Sequence, residues 1–284
     1  MATTRQSSQT ARTAAAARAA HLIVDKPPLI FEDTLAATLL GAEAETLIDY
    51  HRLHGDHLVL SHARTGVACR SRYTEDRLAE GVRRGVRQYV LLGAGLDTFA
   101  YRSELAGHVR VFEVDHPATQ ESKRRQLAAA GLVEPENVAY VAADLAVDPL
   151  VERLISGGFD LSRPAVVSWL GVTMYLDARA IATTLAELGR LAPGTEIIVE
   201  YVVPEEFRDA DGQTYVDLVA PFAAERGEPW LGFFSPDEMS ALLTGHGFGS
   251  VEHIQQRDMI APALWDREDG LRPSALGRIS TARL

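Results

Sequence analysis

The sequence predicts an α/β fold in which helices cover both faces of a doubly wound, mostly parallel β-sheet. Five short β-type runs alternate with helical segments between residues 89 and 201, and a parallel sheet is the economical way to pack such an alternation. The fourth run, residues 165–170, is almost wholly apolar, which is typical of a central strand buried on both faces. The first run ends at Gly93 and Gly95. The backbone that follows this strand therefore has no side chain at these two positions and can approach a ligand closely.

The segments ahead of the first strand form a helical layer, residues 1–85, which we predict to be an N-terminal lid. Residues 1–24 contain no acidic residue and include a run of alanines, which favours a frayed tail leading into a helix. The same composition imitates an organelle transit peptide, and that alternative stays open at this point. Further helical patterns, interrupted by prolines and glycines, cover residues 31–40, 43–54 and 67–85.

We predict that residues 86–284 form the ligand-binding core. Pro117 and Pro236 each lie in the first turn of a predicted helix. The second of these helices also begins with a capping box, residues 235–238. The last residues, 279–284, are expected to form an edge strand. The predicted strands are 89–92, 109–115, 137–142, 165–170, 195–201 and 249–258, and the predicted helices are 117–130, 177–191 and 236–245.

Residues 202–234 interrupt this alternation and form a predicted insertion. Aromatic side chains are frequent in it, which is not typical of a polar surface loop. An aromatic insertion beside a ligand site favours a substrate lid, and a helical insert packed on the core fits the pattern equally well. The aromatic residues are Tyr215, Phe222, Trp230, Phe233 and Phe234.

The charge composition limits the kinds of partner that the protein can bind. The chain carries 28 basic and 39 acidic residues, a formal net charge of −11, and this excess of negative charge repels a nucleic-acid backbone or an anionic membrane. We therefore expect no nucleic acid and no membrane partner, and a small-molecule substrate or a protein remains. No run approaches the roughly 18–20 apolar residues that a membrane span needs. We expect a monomer or a homodimer.

Cysteine and histidine give little indication of further chemistry. Cys69 is the only cysteine, so no intrachain disulfide forms, and the chain suits a reducing cytoplasm. His54 and His57 share a helix face at i, i+3 spacing, but no third ligand of clear spacing accompanies them. We therefore predict no metal site.

A second strand end indicates what the Gly-x-Gly turn binds. The run 109–115 ends in Glu113 and Asp115, 20 and 22 residues after Gly93, the spacing at which a carboxylate meets a ribose diol in a doubly wound sheet. Thr98 stands where a dinucleotide fingerprint has its third glycine, which disfavours a pyrophosphate and hence an NAD-dependent oxidoreductase. The residues favour an adenosyl ligand without phosphates, and S-adenosylmethionine is such a ligand.

Other polar residues beside strand ends extend the candidate site. Asp144 and Leu145 follow the third predicted strand, and ligands of open parallel sheets bind beyond those carboxyl ends. An acid there can accept from an exocyclic amine while the leucine packs on the base. Arg70 and Arg72 come shortly before the first strand, and a planar guanidinium can hold a ligand carboxylate. A solvated surface arginine is the other interpretation of Arg72.

Six segments of the chain resemble the leucine carboxyl methyltransferase-like family of class I S-adenosylmethionine-dependent methyltransferases, which includes bacterial polyketide carboxyl O-methyltransferases. The resemblance covers nearly the whole chain and implies a Rossmann-like class I methyltransferase sheet. The segments are PLIFEDTLA at 28–36, RSRYTED at 70–76, LLGAGLDT at 91–98, FEVDHP at 112–117, ADL at 143–145 and GVTMYL at 171–176.

The resemblance implies roles for residues of the candidate site. Arg70 or Arg72 would hold the methionine carboxylate, Asp115 would bind the ribose, and Asp144 with Leu145 would meet the adenine. The complete predicted cofactor set is Arg70, Arg72, Gly93, Ala94, Gly95, Asp97, Glu113, Asp115, His116, Asp144, Leu145 and Leu170.

The chain departs from the family pattern at two positions. Many relatives have a glutamate before the Gly-Val pair that follows the fourth strand, and Leu170 stands there in this chain. The contact that such a glutamate makes to cofactor or substrate must therefore be absent in this chain or made by another residue. Phe99 occupies a position that is often arginine in the family, which puts the relatives' substrate specificity in doubt.

We expect an S-adenosylmethionine-dependent O-methyltransferase that acts on a carboxyl or hydroxyl group of a small molecule in secondary metabolism. Alternatives are a protein C-terminal carboxyl methyltransferase and a non-catalytic cofactor-binding protein. A carboxylate acceptor needs no general base, and Arg102 could orient it. A hydroxyl acceptor needs a base, for which His116, His246 and Tyr175 are the candidates.

Overall fold

A seven-stranded mixed sheet forms the centre of the molecule in the computed structural model, which describes residues 9–145 and 147–284. The strands are β1 (Gln88–Leu92), β2 (Arg110–Asp115), β3 (Val138–Ala142), β4 (Val166–Trp169), β5 (Glu196–Val202), β6 (Gly249–Gln255) and β7 (Gly277–Arg283). Their order is β3-β2-β1-β4-β5-β7-β6. The first five run parallel, and β7 lies antiparallel between β5 and β6. The predicted α/β fold is confirmed.

Helices cover both faces of the sheet. Side chains alternate along β1: Val90 and Leu92 enter one apolar cluster, and Tyr89 and Leu91 enter another, so the strand is buried from both sides. The helices are α1 (Gln9–Val24), α2 (Ala36–Leu40), α3 (Ala44–His54), α4 (Leu58–Arg83), α5 (Phe99–Arg102), α6 (Pro117–Ala129), α7 (Leu150–Ser156), α8 (Ala178–Leu188), α9 (Ala210–Glu225) and α10 (Pro236–Gly245).

The strand order creates the place where a ligand can bind. β1 lies between β2 and β4, with Leu92 in register with Val114 on one side and Trp169 on the other. The connections after β1 and β4 therefore leave the sheet in opposite directions. Open α/β sheets bind ligands in the crevice at such a switch point.

Two predicted helices have different starts in the structure. The helix predicted for 31–40 begins only at Ala36, because the buried carboxylate of Asp33 accepts hydrogen bonds from Arg18 at 2.7 Å and from the Leu35 amide at 3.2 Å. These contacts hold the preceding residues out of a helix. The helix predicted from residue 67 already begins at Leu58, where the His57 ring caps it by accepting from Val59 N at 3.3 Å.

The edge strand predicted at 279–284 is wrong in its position. β7 pairs along its whole length with β5, from Glu196 opposite Arg283 to Val202 opposite Gly277, and β6 covers its other side. β6 is therefore the edge. The capping box predicted before α10 is confirmed, with Ser235 and Glu238 exchanging both hydrogen bonds.

The N-terminal helices are tied together by buried charges rather than by apolar contacts alone. Arg64 and Asp25 are each 1% exposed and form an ion pair at 2.9 Å, and His21 joins the same carboxylate at 2.8 Å. Burial and the neighbouring Arg64 lower the pKa of His51 to about 4. Among the described residues, no helix is both long and apolar enough to cross a bilayer.

Candidate active site

The Gly-x-Gly turn folds tightly against the end of β2. The amides of Gly93 and Ala94 donate to the Val114 carbonyl at 2.8 and 3.1 Å. Gly93 and Gly95 have φ values of 68° and 52°, a region that side-chain-bearing residues rarely adopt. A Cβ on Gly93 would lie 2.4 Å from Val172. The turn therefore needs glycine both for its backbone conformation and for its close contact with the loop after β4.

Asp115, the last residue of β2, places its carboxylate against the Gly-x-Gly turn. One carboxylate oxygen accepts from Gly95 N at 2.5 Å and the other from His116 N at 2.6 Å. Burial raises the pKa of the Asp115 carboxyl above its usual value, and the two amide hydrogen bonds oppose that rise. A carboxylate has further lone pairs, so it can also accept hydrogen bonds from a ribose diol. The structure places it where the sequence predicts a sugar-binding acid.

We expect Asp115→Ala to weaken binding of S-adenosylhomocysteine by about 1–3 kcal/mol, the usual contribution of hydrogen bonds to a charged group. Isothermal titration calorimetry measures this directly. Asp76→Ala is the matched control, because Asp76 is 59% exposed and paired with Arg72 on the surface. Equal affinities of the Asp115 variant and the unaltered protein would contradict the sugar-binding role.

Asp144 and Leu145 lie beside Asp115. The Ala143 amide donates to the Asp115 carbonyl at 2.9 Å, which brings the end of β3 against the end of β2. Asp144 N donates to Asp148 at 2.8 Å, and the Leu145 side chain packs on the apolar cluster under the sheet edge. Both residues thus follow the carboxyl end of β3, beside the end of β2.

Arg70 reaches the same edge from α4. Its Nη1 donates to Glu200 Oε2 at 2.7 Å, and Gly171 N donates to the same oxygen at 2.6 Å. Arg70 is 18% exposed and Glu200 12%, so the pair is largely shielded. A Cβ on Gly171 would lie 2.9 Å from Arg70 Nη2. The guanidinium therefore rests directly on the turn that follows β4.

Glu200 was not predicted from the sequence. The register of β4 and β5 pairs Trp169 with Val199, so Glu200 lies next to Leu170, where many relatives have their glutamate. The carboxylate that Leu170 lacks is thus present on the neighbouring strand. The sequence signal was a second acid in β5, which comes after the apolar residues 197–199 and two residues before the strand ends at Val202.

Several predicted cofactor residues make other contacts. Arg72 is 47% exposed and pairs with Asp76 along its own helix. Glu113 is 1% exposed and forms an ion pair with Lys123 at 2.5 Å, so its carboxylate lies under α6 rather than in the crevice. Leu170 packs on the apolar cluster. The structure does not bring these side chains to the crevice, and Asp97 Oδ1 accepts from the Phe99 amide at 2.7 Å within the turn.

The predicted catalytic residues are already engaged. Arg102 stacks on the Phe31 ring at 4.4 Å and forms an ion pair with Glu75. His116 caps α6 by accepting from Ala118 N at 3.3 Å. Burial raises the pKa of the Tyr175 phenol above its usual value, which keeps its proton in place at neutral pH.

His246 is the remaining base candidate. Its ring contacts the Leu242 carbonyl at 2.7 Å, at the end of α10. This contact shows a structural capping interaction, and no contact with the Gly-x-Gly turn is found among the described residues.

Part of the predicted insertion lies on the loop after β4. The amides of Leu231 and Gly232 donate to the Met174 carbonyl at 2.6 and 3.1 Å, and Phe234 N donates to Val202 O at 3.0 Å. Residues 231–234 therefore cover the carboxyl ends of β4 and β5. The rest of the insertion contains the helix α9, which packs against α4.

The N-terminal helix covers the other side of the crevice. A Cβ on Gly95 would lie 3.1 Å from Ala11 of α1, and Arg18 of the same helix donates to the Leu96 carbonyl at 2.6 Å. The chemistry of these residues suits a phosphate-free adenosyl ligand, since Asp115 offers acceptors for a sugar diol and Arg70 offers a cation for a carboxylate.

Comparison with known proteins gives a consistent result. A family model described as leucine carboxyl methyltransferase matches residues 11–189. A protein of Bacillus subtilis (strain 168), named "Putative S-adenosyl-L-methionine-dependent methyltransferase YktD", is 31% identical over 289 residues, which cover 94% of each chain.

Solved structures agree with the fold. A DUF574 family protein from Streptomyces avermitilis has a TM-score of 0.64 at 19% identity, over 98% of this chain and 97% of that one. A protein of Thermobifida fusca YX, described as a "putative methyltransferase", has a TM-score of 0.57 at 21% identity, over 96% and 93% of the two chains.

Proposed function

Because the chain belongs to the leucine carboxyl methyltransferase family, we propose that it transfers a methyl group from S-adenosylmethionine to a carboxyl or hydroxyl oxygen of a small molecule. The chain is an S-adenosylmethionine-dependent methyltransferase with a Rossmann-like class I fold. The oxygen acceptor, its small size and a place in secondary metabolism are the proposed parts. A cytoplasmic location belongs to the same proposal, supported by Cys69, which is a lone buried thiol whose pKa burial raises to about 12.

One observation carries the small-molecule proposal. Residues 231–234 are hydrogen bonded to the loop after β4 and to the end of β5, directly over the edge where the acceptor must lie. An edge covered in this way suits a compact acceptor better than a folded protein surface. The net charge of −11 also disfavours a polyanionic acceptor.

The chain's own residues supply binding and alignment. Bound S-adenosylmethionine supplies an electrophilic methyl group on a sulfonium sulfur. Asp115 would hold its ribose, Asp144 and Leu145 its adenine, and Arg70 its carboxylate. Covering segments on both sides, from α1 and from residues 231–234, exclude water, and exclusion of water with fixed geometry is what a methyl transfer chiefly requires of a protein.

The experiment uses the full chain with methyl-labelled S-adenosylmethionine and a panel of small carboxylic acids and hydroxyl compounds. We expect labelled small-molecule product and micromolar binding of S-adenosylhomocysteine. Treatment with dilute base distinguishes the two acceptor types, because methyl esters hydrolyse and methyl ethers do not. The Asp115→Ala variant is the control for cofactor-dependent transfer.

The family description favours a second candidate, a protein C-terminal carboxyl methyltransferase. A peptide ending in leucine belongs in the same assay. Base-labile label in that peptide, with none in the small molecules, would replace the small-molecule proposal by this candidate.

A further inference from the structure

A group of aromatic side chains lies next to the Arg70–Glu200 pair. We call it the aromatic chamber, and it is formed by His62, Tyr175, Tyr215, Trp230 and Phe233. All five side chains are partly buried and none is fully buried, unlike the residues of the apolar core. Aromatic and apolar side chains predominate in the lining of small-molecule sites.

Four of the rings form a continuous row. The His62 and Tyr215 rings are stacked with centroids 5.9 Å apart at 28°, Tyr215 and Trp230 follow at 6.4 Å and 30°, and Trp230 and Phe233 at 6.4 Å. The row runs from α4 across α9 to residues 230–233, which cover the ends of β4 and β5. It therefore connects the first turns of α4 with the segment that covers the ends of β4 and β5.

Two tyrosines of the chamber lie near the Arg70–Glu200 ion pair. Burial raises the pKa of Tyr215 to about 12, and the charges of Arg70 and Glu200 both act on that hydroxyl. Arg70 likewise acts on Tyr175. The two tyrosines are therefore close to the ion pair that rests on the Gly171 turn.

His62 presents a hydrogen-bond acceptor in this chamber. Its Nδ1 lies 3.1 Å from the Leu58 carbonyl, and since a carbonyl only accepts, Nδ1 carries the proton. Burial lowers the pKa of His62, which favours the neutral ring. Nε2 is then a bare lone pair, and within residues 9–145 and 147–284 this buried atom has no hydrogen-bond partner.

A buried polar atom without a partner is costly, and a ligand that supplies the missing partner gains that free energy. The lone pair of His62 Nε2 needs a donor. A hydroxyl group donates at neutral pH, whereas an ionised carboxylate and a methyl ether do not. The row of rings offers stacking surface for a flat aromatic body.

We propose that the aromatic chamber is the methyl-acceptor site and that it takes a hydroxylated aromatic compound, whose hydroxyl donates to His62 Nε2. This inference rests on the proposed function and narrows its acceptor from carboxyl or hydroxyl compounds to aromatic hydroxyl compounds. Stacking fixes the plane of the acceptor, and the unpaired Nε2 of His62 favours a compound that carries a hydrogen-bond donor.

The test compares three probes of equal shape, naphthol, methoxynaphthalene and naphthoate, on the full chain saturated with S-adenosylhomocysteine. Quenching of tryptophan fluorescence, with Trp230 in the chamber, reports binding. We expect naphthol to bind about tenfold or more tightly than the other two, the discrimination given by one hydrogen bond to an otherwise unpaired group.

His62→Phe keeps the stacked ring and removes the acceptor. In this variant naphthol and methoxynaphthalene should bind alike, while S-adenosylhomocysteine binds as before. The matched control is His54→Phe, since His54 also contacts a tyrosine ring, Tyr50 at 5.0 Å, but on α3 outside the chamber. Unchanged thermal unfolding of the His62 variant establishes that it folds.

Three results overturn the inference: no preference for naphthol in the unaltered protein, tighter binding of naphthoate, or a preference that survives His62→Phe. Each leaves the proposed function intact as long as S-adenosylhomocysteine binds. Failure of S-adenosylhomocysteine to bind would instead overturn the proposed function, so the two failures are distinguishable.

Discussion

Replacing Lys123 with methionine is expected to lower the free energy of unfolding by about 3–5 kcal/mol, the cost of leaving a buried charge without its partner. Lys123 and Glu113 are each 1% exposed, and Nζ lies 2.5 Å from Oε2. Burial raises the pKa of Glu113, and Lys123 is the main influence that opposes the rise. Without Lys123 the carboxylate must either stay charged in an apolar setting or take up a proton.

Urea unfolding followed by circular dichroism measures the change. The double variant Lys123→Met, Glu113→Leu removes both charges and should recover most of the stability, because well-packed apolar residues can replace a buried ion pair. Arg125→Met is the matched surface control: its pair with Glu121 is 64% and 73% exposed, and such pairs contribute about 0–1 kcal/mol. A Lys123 variant as stable as the Arg125 variant would contradict the prediction.

The same double variant tests the role assigned to Glu113 from the sequence. If Glu113 bound the cofactor, its loss would weaken S-adenosylhomocysteine binding as strongly as loss of Asp115. The structure instead predicts unchanged affinity, because the Glu113 side chain contacts α6. The spacing from Gly93 could not decide which of the two acids binds the cofactor, because residues two apart on a strand share a face. Only Asp115, the last residue of β2, lies at the end of the strand.

The fold was largely predictable because local and tertiary preferences agree. The apolar runs of β1 and β4 are buried in full, and Pro117 and Ser235 mark helix starts through local chemistry. The predictions were wrong where contacts between residues distant in the sequence determine the local structure. Asp33 is held by Arg18 and Thr98, and the position of β7 depends on pairing with β5, which no local pattern encodes.

The positions of the candidate site residues were predictable where they lie at the ends of neighbouring strands. Gly93, Gly95 and Asp115 follow from spacing because β1 and β2 are neighbours in any doubly wound sheet. Glu200 does not follow, because its role depends on which residue of β5 lies beside Leu170. The choice between Arg70 and Arg72 also required the structure, since both lie on the same helix at i, i+2 and face different surroundings.

That choice leads to the second large effect. Arg70→Met is expected to weaken S-adenosylhomocysteine binding about 100-fold or more, which corresponds to about 2.7 kcal/mol. The change removes a cation for the ligand carboxylate, and it also leaves Glu200 without the guanidinium that shares its oxygen with Gly171 N. The planar guanidinium of Arg70 is not replaced by the point charge of an ammonium group, so Arg70→Lys should restore only part of the affinity.

Calorimetry on three further variants separates the possible causes. Arg72→Met should bind normally, because Arg72 pairs only with Asp76 at the surface among the described residues; a loss equal to that of Arg70→Met would assign the carboxylate to Arg72. Glu200→Gln keeps an acceptor for Gly171 N and should cost about tenfold. If the double variant Arg70→Met, Glu200→Leu regains normal affinity, the pair only supports the turn, and Arg70 does not contact the ligand.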